Sequence, residues 1–163
     1  KYFDFRGAPD KNIWRFNGDP LKEVTNGFFM EVPISNINLS PLFYFKLLLT
    51  RKFGGRKHKM FGDGNSVPMS KSQLFKLFIE YSNAAVSIDG YKSTLLERAL
   101  ENHSTKYPDS NTMNLVTIGH PKCLTPFSLN KLDEFIRKNH HSHNFTTYRQ
   151  TLSKQSINHP EEL

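Results

Sequence analysis

The sequence lacks the features that support a disulfide-rich or a membrane-spanning protein. Cys123 is the only cysteine, so no disulfide bond can form within the chain. The most apolar run, residues 42–49, is short and contains Lys46, so no transmembrane helix is expected. No secretory signal peptide is visible. We therefore expect a cytoplasmic location, with a periplasmic or secreted location as the alternative.

Motifs that recognise nucleic acids are also missing, although the chain is basic. Its formal net charge is +7, and much of the excess lies within residues 51–59. Such a balance is typical of proteins that bind nucleic acids or acidic membrane surfaces. Because no groove-reading or RNA-stacking motif accompanies the charge, we do not expect a nucleic-acid partner.

The chain does contain enough apolar material for one folded domain. It has 163 residues, of which 37% are hydrophobic and 13% aromatic, including 14 Phe. This composition excludes a disordered chain and predicts a real core. We expect a single domain over residues 1–163, with an irregular arm at 1–27 and a polar tail at 149–163. The polar, aromatic first six residues indicate a piece of a longer chain.

Apolar spacing and capping signals predict an alternation of strands and helices. Ser40-Pro41 predicts one helix start, and Ser70-Lys-Ser-Gln73 has the pattern of a capping box. In chain order the predicted elements are strand 28–35, helix 41–52, helix 71–82, strand 84–88, helix 92–102, strand 115–118, helix 126–138 and strand 145–148. This α/β order predicts parallel strands with crossover helices, either a small open sheet or about half of a (β/α) barrel.

His120 is the strongest functional candidate in the chain. It follows the apolar, β-branched run at 115–118 and precedes Pro121 and a predicted helix. Loops at the carboxyl ends of strands are where α/β proteins place catalytic groups, and histidine suits general acid–base work. The alternative is a histidine that only stabilises its turn.

Four other residues are weaker candidates for substrate binding. Glu31 lies within the predicted strand 28–35, and Asp89 follows the predicted strand 84–88. Each has a simpler interpretation, as a solvent-facing carboxylate and as a turn residue. Arg56 and Lys57 lie in a glycine-rich basic loop that is either a solvated turn or a surface for anionic sugars.

Two further patterns carry less weight. Three histidines cluster at 140, 141 and 143. Adjacent histidines point in different directions in an extended chain, so at most two of them would bind one ion. Cys123 lies three residues after His120, so a Cys–His nucleophile pair is one interpretation. A buried structural thiol is the other.

Three segments resemble the C-terminal portion of polysaccharide deacetylase-like proteins from bacterial surface-polysaccharide gene clusters. They are residues 118–136, with Gly119-His-Pro-Lys122 as the most specific part, and the shorter segments 29–35 and 3–6. The resemblance implies a distorted (β/α) barrel that removes N- or O-acetyl groups from sugars with a divalent metal, zinc being the expected ion. It also implies that His120 protonates the leaving group and that Arg6 orients the catalytic base.

The sequence also departs from the pattern of that family. Its Asp-Asp pair and His-x-x-x-His metal motif are absent from this sequence. The resemblance therefore implies a partial domain whose metal ligands lie outside the chain and whose substrate is an acetylated sugar or polysaccharide. The rival hypotheses are a non-catalytic carbohydrate-binding or partner module that uses its basic loop, and a small independent hydrolase using Cys123 and His120.

Overall fold

The computed structural model describes residues 7–64, 70–108 and 113–150. Within them the chain is a mixed α/β structure, as predicted. Its strands are β1 (Trp14–Phe16), β2 (Phe29–Glu31), β3 (Asn36–Leu39) and β4 (Ser82–Ala85), and its helices are α1 (Pro41–Phe53), α2 (Lys71–Lys76), α3 (Leu96–Lys106) and α4 (Pro126–Asn139). Short 3-10 turns occupy Arg56–His58, Gly90–Leu95 and Pro121–Cys123.

Both sheets are two-stranded and antiparallel. β1 pairs with β2, so that Trp14 lies opposite Glu31, and β3 pairs with β4, so that Asn36 lies opposite Ala85. Across the described residues, parallel pairing is limited to one bridge between Ser87 and Ile118. The predicted half of a parallel barrel is therefore not found in this part of the chain.

The segment at 115–118 is held by backbone hydrogen bonds without forming a continuous strand. Val116 accepts a bond of 3.1 Å from the backbone N–H of Ser35, and Ile118 donates one of 3.1 Å to Val86. Ile118 also accepts a bond of 2.9 Å from Ile88. The segment thus lies beside Ser35 and residues 86–88, at the end of the β3–β4 pair where Asn36 lies opposite Ala85. Its residues are half-buried.

Side chains from β3, from the segment after β4 and from three helices form the core. β3 alternates exposed and buried residues, as expected for a strand with one face on the core. In the 3-10 turn that leads into α3, Gly90 and Ser93 are buried. The buried apolar residues of this core cluster are Ile37, Leu39, Phe43, Val86, Leu96, Ala99, Leu100 and Phe135.

The predicted helices form, but two have different bounds. α1 and α4 match their predicted ranges within a residue or two. The predicted helix 71–82 ends at Lys76, and the chain then turns into β4. α3 begins at Leu96, after a 3-10 turn. The predicted last strand is wrong, because residues 144–147 are irregular and residues 148–150 are helical.

One apolar face of α1 is exposed. Leu42, Phe45, Leu48 and Leu49 recur at helical spacing, and all four are solvent-exposed. The buried residue of this helix is Phe43. No helix in the described ranges has both the length and the apolar character needed to cross a bilayer.

Candidate functional site

The structure brings together two predicted site residues, Asp89 and His120. The backbone N–H of His120 donates a 2.8 Å hydrogen bond to Asp89 Oδ1. The imidazole Nδ1 of His120 lies 2.7 Å from Asp89 Oδ2. Asp89 therefore contacts both the backbone and the ring of His120, which fixes the position and the orientation of the imidazole together.

The parallel bridge explains why these two residues meet. Ser87 lies beside Ile118, and two residues further along each segment come Asp89 and His120. Parallel segments that leave a bridge together place equivalent positions side by side. Gly119 allows the close approach, because a Cβ there would lie 2.7 Å from Ile88 Cδ1.

The pairing fixes the protonation pattern of the His120 ring. An ionised carboxylate only accepts hydrogen bonds, so Nδ1 carries a proton and donates it to Asp89. Nε2 is then the ring nitrogen that exchanges a proton with a ligand. The His120 side chain is 55% exposed while that of Asp89 is 17% exposed, so the imidazole is the accessible partner.

Asp89 is held as a carboxylate. Burial disfavours its charge, but hydrogen bonds from the backbone and ring of His120, with a smaller contribution from Ser87, outweigh the burial. The pKa of Asp89 is therefore lowered from its ordinary value. The carboxylate therefore remains the acceptor of both hydrogen bonds from His120.

The turn that carries His120 is fixed to a neighbouring loop. The 3-10 turn at Pro121–Cys123 closes when Cys123 N–H donates a 2.8 Å hydrogen bond to the His120 carbonyl. Phe61 N–H donates to Leu124 O at 2.9 Å, and Gly62 N–H donates to Lys122 O at 3.1 Å. The glycine-rich basic loop at 54–64 therefore braces the histidine turn.

A cavity of about 150 Å³ lies beside Asp89. Three basic residues, Arg51, His58 and Lys92, contribute to its lining, together with Cys123. Burial and the charge of Lys57 lower the pKa of His58, so this imidazole favours its neutral form. The lining therefore carries two permanent positive charges and one carboxylate.

The side chains of Arg51 and Lys92 make no hydrogen bond or ion pair with other residues in the described ranges. Arg51 belongs to the basic stretch 51–59 that was predicted as a surface for anionic glycans, whereas Lys92 was not predicted as a site residue. Arg51 lies at the end of a helix and Lys92 in a 3-10 turn, so their sequence neighbours gave no sign that they share a cavity.

The other predicted residues do not join the pair. Glu31 lies in β2 opposite Trp14, in the other sheet. Arg56 and Lys57 lie in the 3-10 turn at Arg56–His58, where both are exposed, and neither lines the cavity. Arg6 lies outside the described residues.

The Cys–His hypothesis gains no support from the geometry. The His120 Nδ1 atom is engaged by Asp89, and in the described part of the chain the Cys123 thiol makes no hydrogen bond with the imidazole. The described residues also contain no group of three or more His, Cys, Asp or Glu side chains that could hold a metal ion. The implied divalent metal therefore does not fit the side chains that the structure describes.

Comparisons with models of protein families, with curated proteins and with solved structures gave no match.

Proposed function

We propose that this chain supplies the proton-donating part of a site that removes N- or O-acetyl groups from sugars during polysaccharide biosynthesis. The observation that carries the proposal is the Asp89–His120 pair, with its 2.7 Å contact between Oδ2 and Nδ1. The resemblance of residues 118–136 to polysaccharide deacetylase-like proteins supplies the reaction class.

His120 acts as the general acid in this proposal. As the bond between the acetyl carbon and the sugar nitrogen or oxygen breaks, the imidazolium gives its Nε2 proton to the leaving atom. The ring becomes neutral and keeps its Nδ1–H on Asp89. Asp89 orients the ring and stabilises its charged form before the transfer, a role that carboxylates hold in other His-dependent sites.

The proposed role is limited to this proton transfer. The sequence has no Asp-Asp pair or His-x-x-x-His motif, so the role includes no step through a metal or a catalytic base. An orienting role for Arg6 remains a prediction of the resemblance, and a substrate contact by Glu31 remains a prediction from its place in the predicted strand 28–35.

The test is acetate release from an acetylated sugar polymer by the full-length protein with divalent metal present. We expect His120→Ala to reduce the rate by about 10²- to 10⁴-fold, the usual contribution of a general acid. Asp89→Asn should cause a smaller loss, because the ring remains but loses its charged partner. The matched control is His140→Ala, since His140 is exposed and its Nδ1 lies 2.7 Å from Arg137 O, three residues earlier in the chain. Unchanged acetate release by His120→Ala, with the fold intact, would contradict the proposal.

The cavity supports a second candidate function, that of a non-catalytic module for anionic glycans. Arg51 and Lys92 present positive charge to one small volume, and neither forms an ion pair with a residue in the described ranges. A sugar carboxylate or sulfate would complement both charges.

The variants that test this candidate compare two pairs of cations. Neutralising Arg51 and Lys92 should weaken binding of an acidic polysaccharide by at least about ten-fold, and added salt should weaken binding by the wild type. Neutralising Arg56 and Lys57 is the control, because both lie outside the cavity lining. A larger loss with the second pair would assign the glycan to the outer loop. Normal binding of the acidic polysaccharide by His120→Ala would show that glycan binding does not require the proposed general acid.

A further inference from the structure

The part of the chain around α1 carries charge of one sign only. Residues 32–62 contain no Asp or Glu, while the same stretch contains six basic side chains: Lys46, Arg51, Lys52, Arg56, Lys57 and Lys59. Elsewhere in the protein, lysines and arginines commonly pair with nearby carboxylates, as Arg137 does with Asp133. The α1 region has no acidic residue of its own to provide such pairs.

The exposed face of α1 is strongly apolar. Leu42, Leu49 and Phe53 are 60%, 58% and 70% exposed, and Phe45 is also exposed. At about 100° per residue, these four side chains fall within an arc of roughly 80° on the helix surface. They form one continuous stripe, which we call the α1 stripe.

Lysines border the α1 stripe on both sides. On the same helical projection, Lys46 lies just beyond one edge of the stripe and Lys52 just beyond the other. Both are exposed. Long lysine side chains at such positions can extend their ammonium groups away from an apolar layer while their methylenes remain in it.

The apolar surface continues onto the segment that begins with α2. The ring of Phe45 lies 5.0 Å from the ring of Phe78, which joins the two surfaces. Phe75, Ile79 and Tyr81 are large, exposed side chains in the same segment. An exposed apolar face such as that of α1, joined to the α2 segment through the Phe45–Phe78 contact, indicates a binding partner.

The charges select among the partners that could cover this surface. A second copy of the chain would place the same cationic patch against itself, because a two-fold interface uses one patch on both subunits. Nucleic acid would satisfy the cations and leave the leucines and phenylalanines in water. An anionic lipid surface satisfies both, since apolar side chains enter the headgroup boundary while lysines contact the phosphates.

We propose that the α1 stripe and its flanking lysines dock the protein on the surface of an anionic lipid bilayer. α1 lies parallel to the membrane plane, with Leu42, Phe45, Leu49 and Phe53 in the boundary between headgroups and acyl chains. This docking does not depend on the reaction proposed for His120.

The experiment is sedimentation of the full chain with vesicles of two compositions. Vesicles of equal parts phosphatidylcholine and phosphatidylglycerol should bind the protein, and pure phosphatidylcholine vesicles should bind it much more weakly. Combining Leu49→Gln and Phe53→Gln should lower the vesicle affinity by roughly ten-fold or more. Neutralising Lys46 and Lys52 should lower it by about five-fold for each lysine, and salt should have the same effect on the wild type.

The control variant is Phe28→Gln, which removes an even more exposed phenylalanine, 90% accessible, from another surface. It should bind vesicles like the wild type. Circular dichroism of every variant shows whether the helices are intact.

Three results would overturn the proposal. The first is no association with either vesicle. The second is vesicle binding that is insensitive to both the Leu49/Phe53 and the Lys46/Lys52 changes. The third is a stable dimer that Leu49→Gln dissociates, because a second copy would then cover the stripe.

Discussion

α1 and α4 start from nearly the same local sequence and reach opposite environments. They span 13 and 14 residues, and each begins with proline after a hydroxyl residue, Ser40 or Thr125. In α4 the Thr125 side chain accepts a hydrogen bond from Ser128 N–H, and Phe135 is buried. In α1 the Ser40 side chain makes no cap bond, and the apolar stripe faces solvent. The local pattern thus predicts a helix and its apolar face, but the partner of that face depends on the rest of the molecule.

The largest expected change in the free energy of unfolding comes from removing one apolar side chain from each helix. Phe135 is 7% exposed and belongs to the core, so Phe135→Ala should lower the free energy of unfolding by about 3–5 kcal/mol. Leu49→Ala, on the exposed stripe, should change it by less than about 0.5 kcal/mol. Urea denaturation of the isolated protein measures both values. A cost of several kcal/mol for Leu49→Ala would mean that the stripe is already packed.

Removing the hydroxyl residue that precedes each helix should change the stability of the fold by an intermediate amount. Thr125 is 1% exposed and exchanges hydrogen bonds with Ser128, so Thr125→Ala should cost about 1–2 kcal/mol. Ser40→Ala should be close to neutral, because Ser40 makes no cap bond to lose. Thr125→Ser keeps the hydroxyl and should recover much of the loss in thermal unfolding. Equal effects of Thr125→Ala and Ser40→Ala would remove the distinction between the helix starts.

The smallest expected change in the free energy of unfolding depends on pH. It compares the Asp89 carboxylate with the ammonium group of Lys46. The folded pKa of Asp89 lies below the ordinary carboxyl value of 3.8. Its ionised form therefore contributes stability that is complete above that value and is lost as the pH falls through the lowered pKa. Asp89→Asn should cost about 1 kcal/mol at neutral pH, and its difference from the wild type should shrink in acid.

The comparison for Asp89 is Lys46, beside the α1 stripe. Lys46→Gln should leave the free energy of unfolding nearly unchanged across the same pH range, because Lys46 has no ion pair with any residue in the described ranges. Urea denaturation at several pH values measures both variants. A pH-independent cost for Asp89→Asn would show that its carboxylate charge does not matter to folding.

Features set by a few neighbouring residues were predictable from the sequence. The capping box at Ser70 and the start of α4 at Thr125-Pro126 are local patterns, and both form as predicted. The pairing of strands was not predictable in this way. β3 at 36–39 is polar at alternate positions and was not predicted, yet it pairs antiparallel with β4. Its register depends on residues that lie far away in the sequence, beyond two intervening helices.

The candidate site was predictable only in part, for the same reason. His120 and Asp89 were each selected because they follow an apolar run. Their hydrogen bonds depend on the Ser87–Ile118 bridge, which no local pattern reveals. Arg51 and Lys92 reach one cavity from separate segments of the chain. The sequence instead predicted a binding role for residues 56–57, which are neighbours in the basic loop and do not line the cavity.

The two hydrogen bonds from Phe61 and Gly62 to the turn after His120 link the two surfaces of the molecule. The loop at 54–64 continues directly from α1, and these bonds fasten its far end to Leu124 and Lys122. The loop thus connects the end of α1 to the turn that carries His120. If docking of α1 on a bilayer shifts this loop, the free energies of bilayer docking and of ligand binding beside His120 change by the same amount.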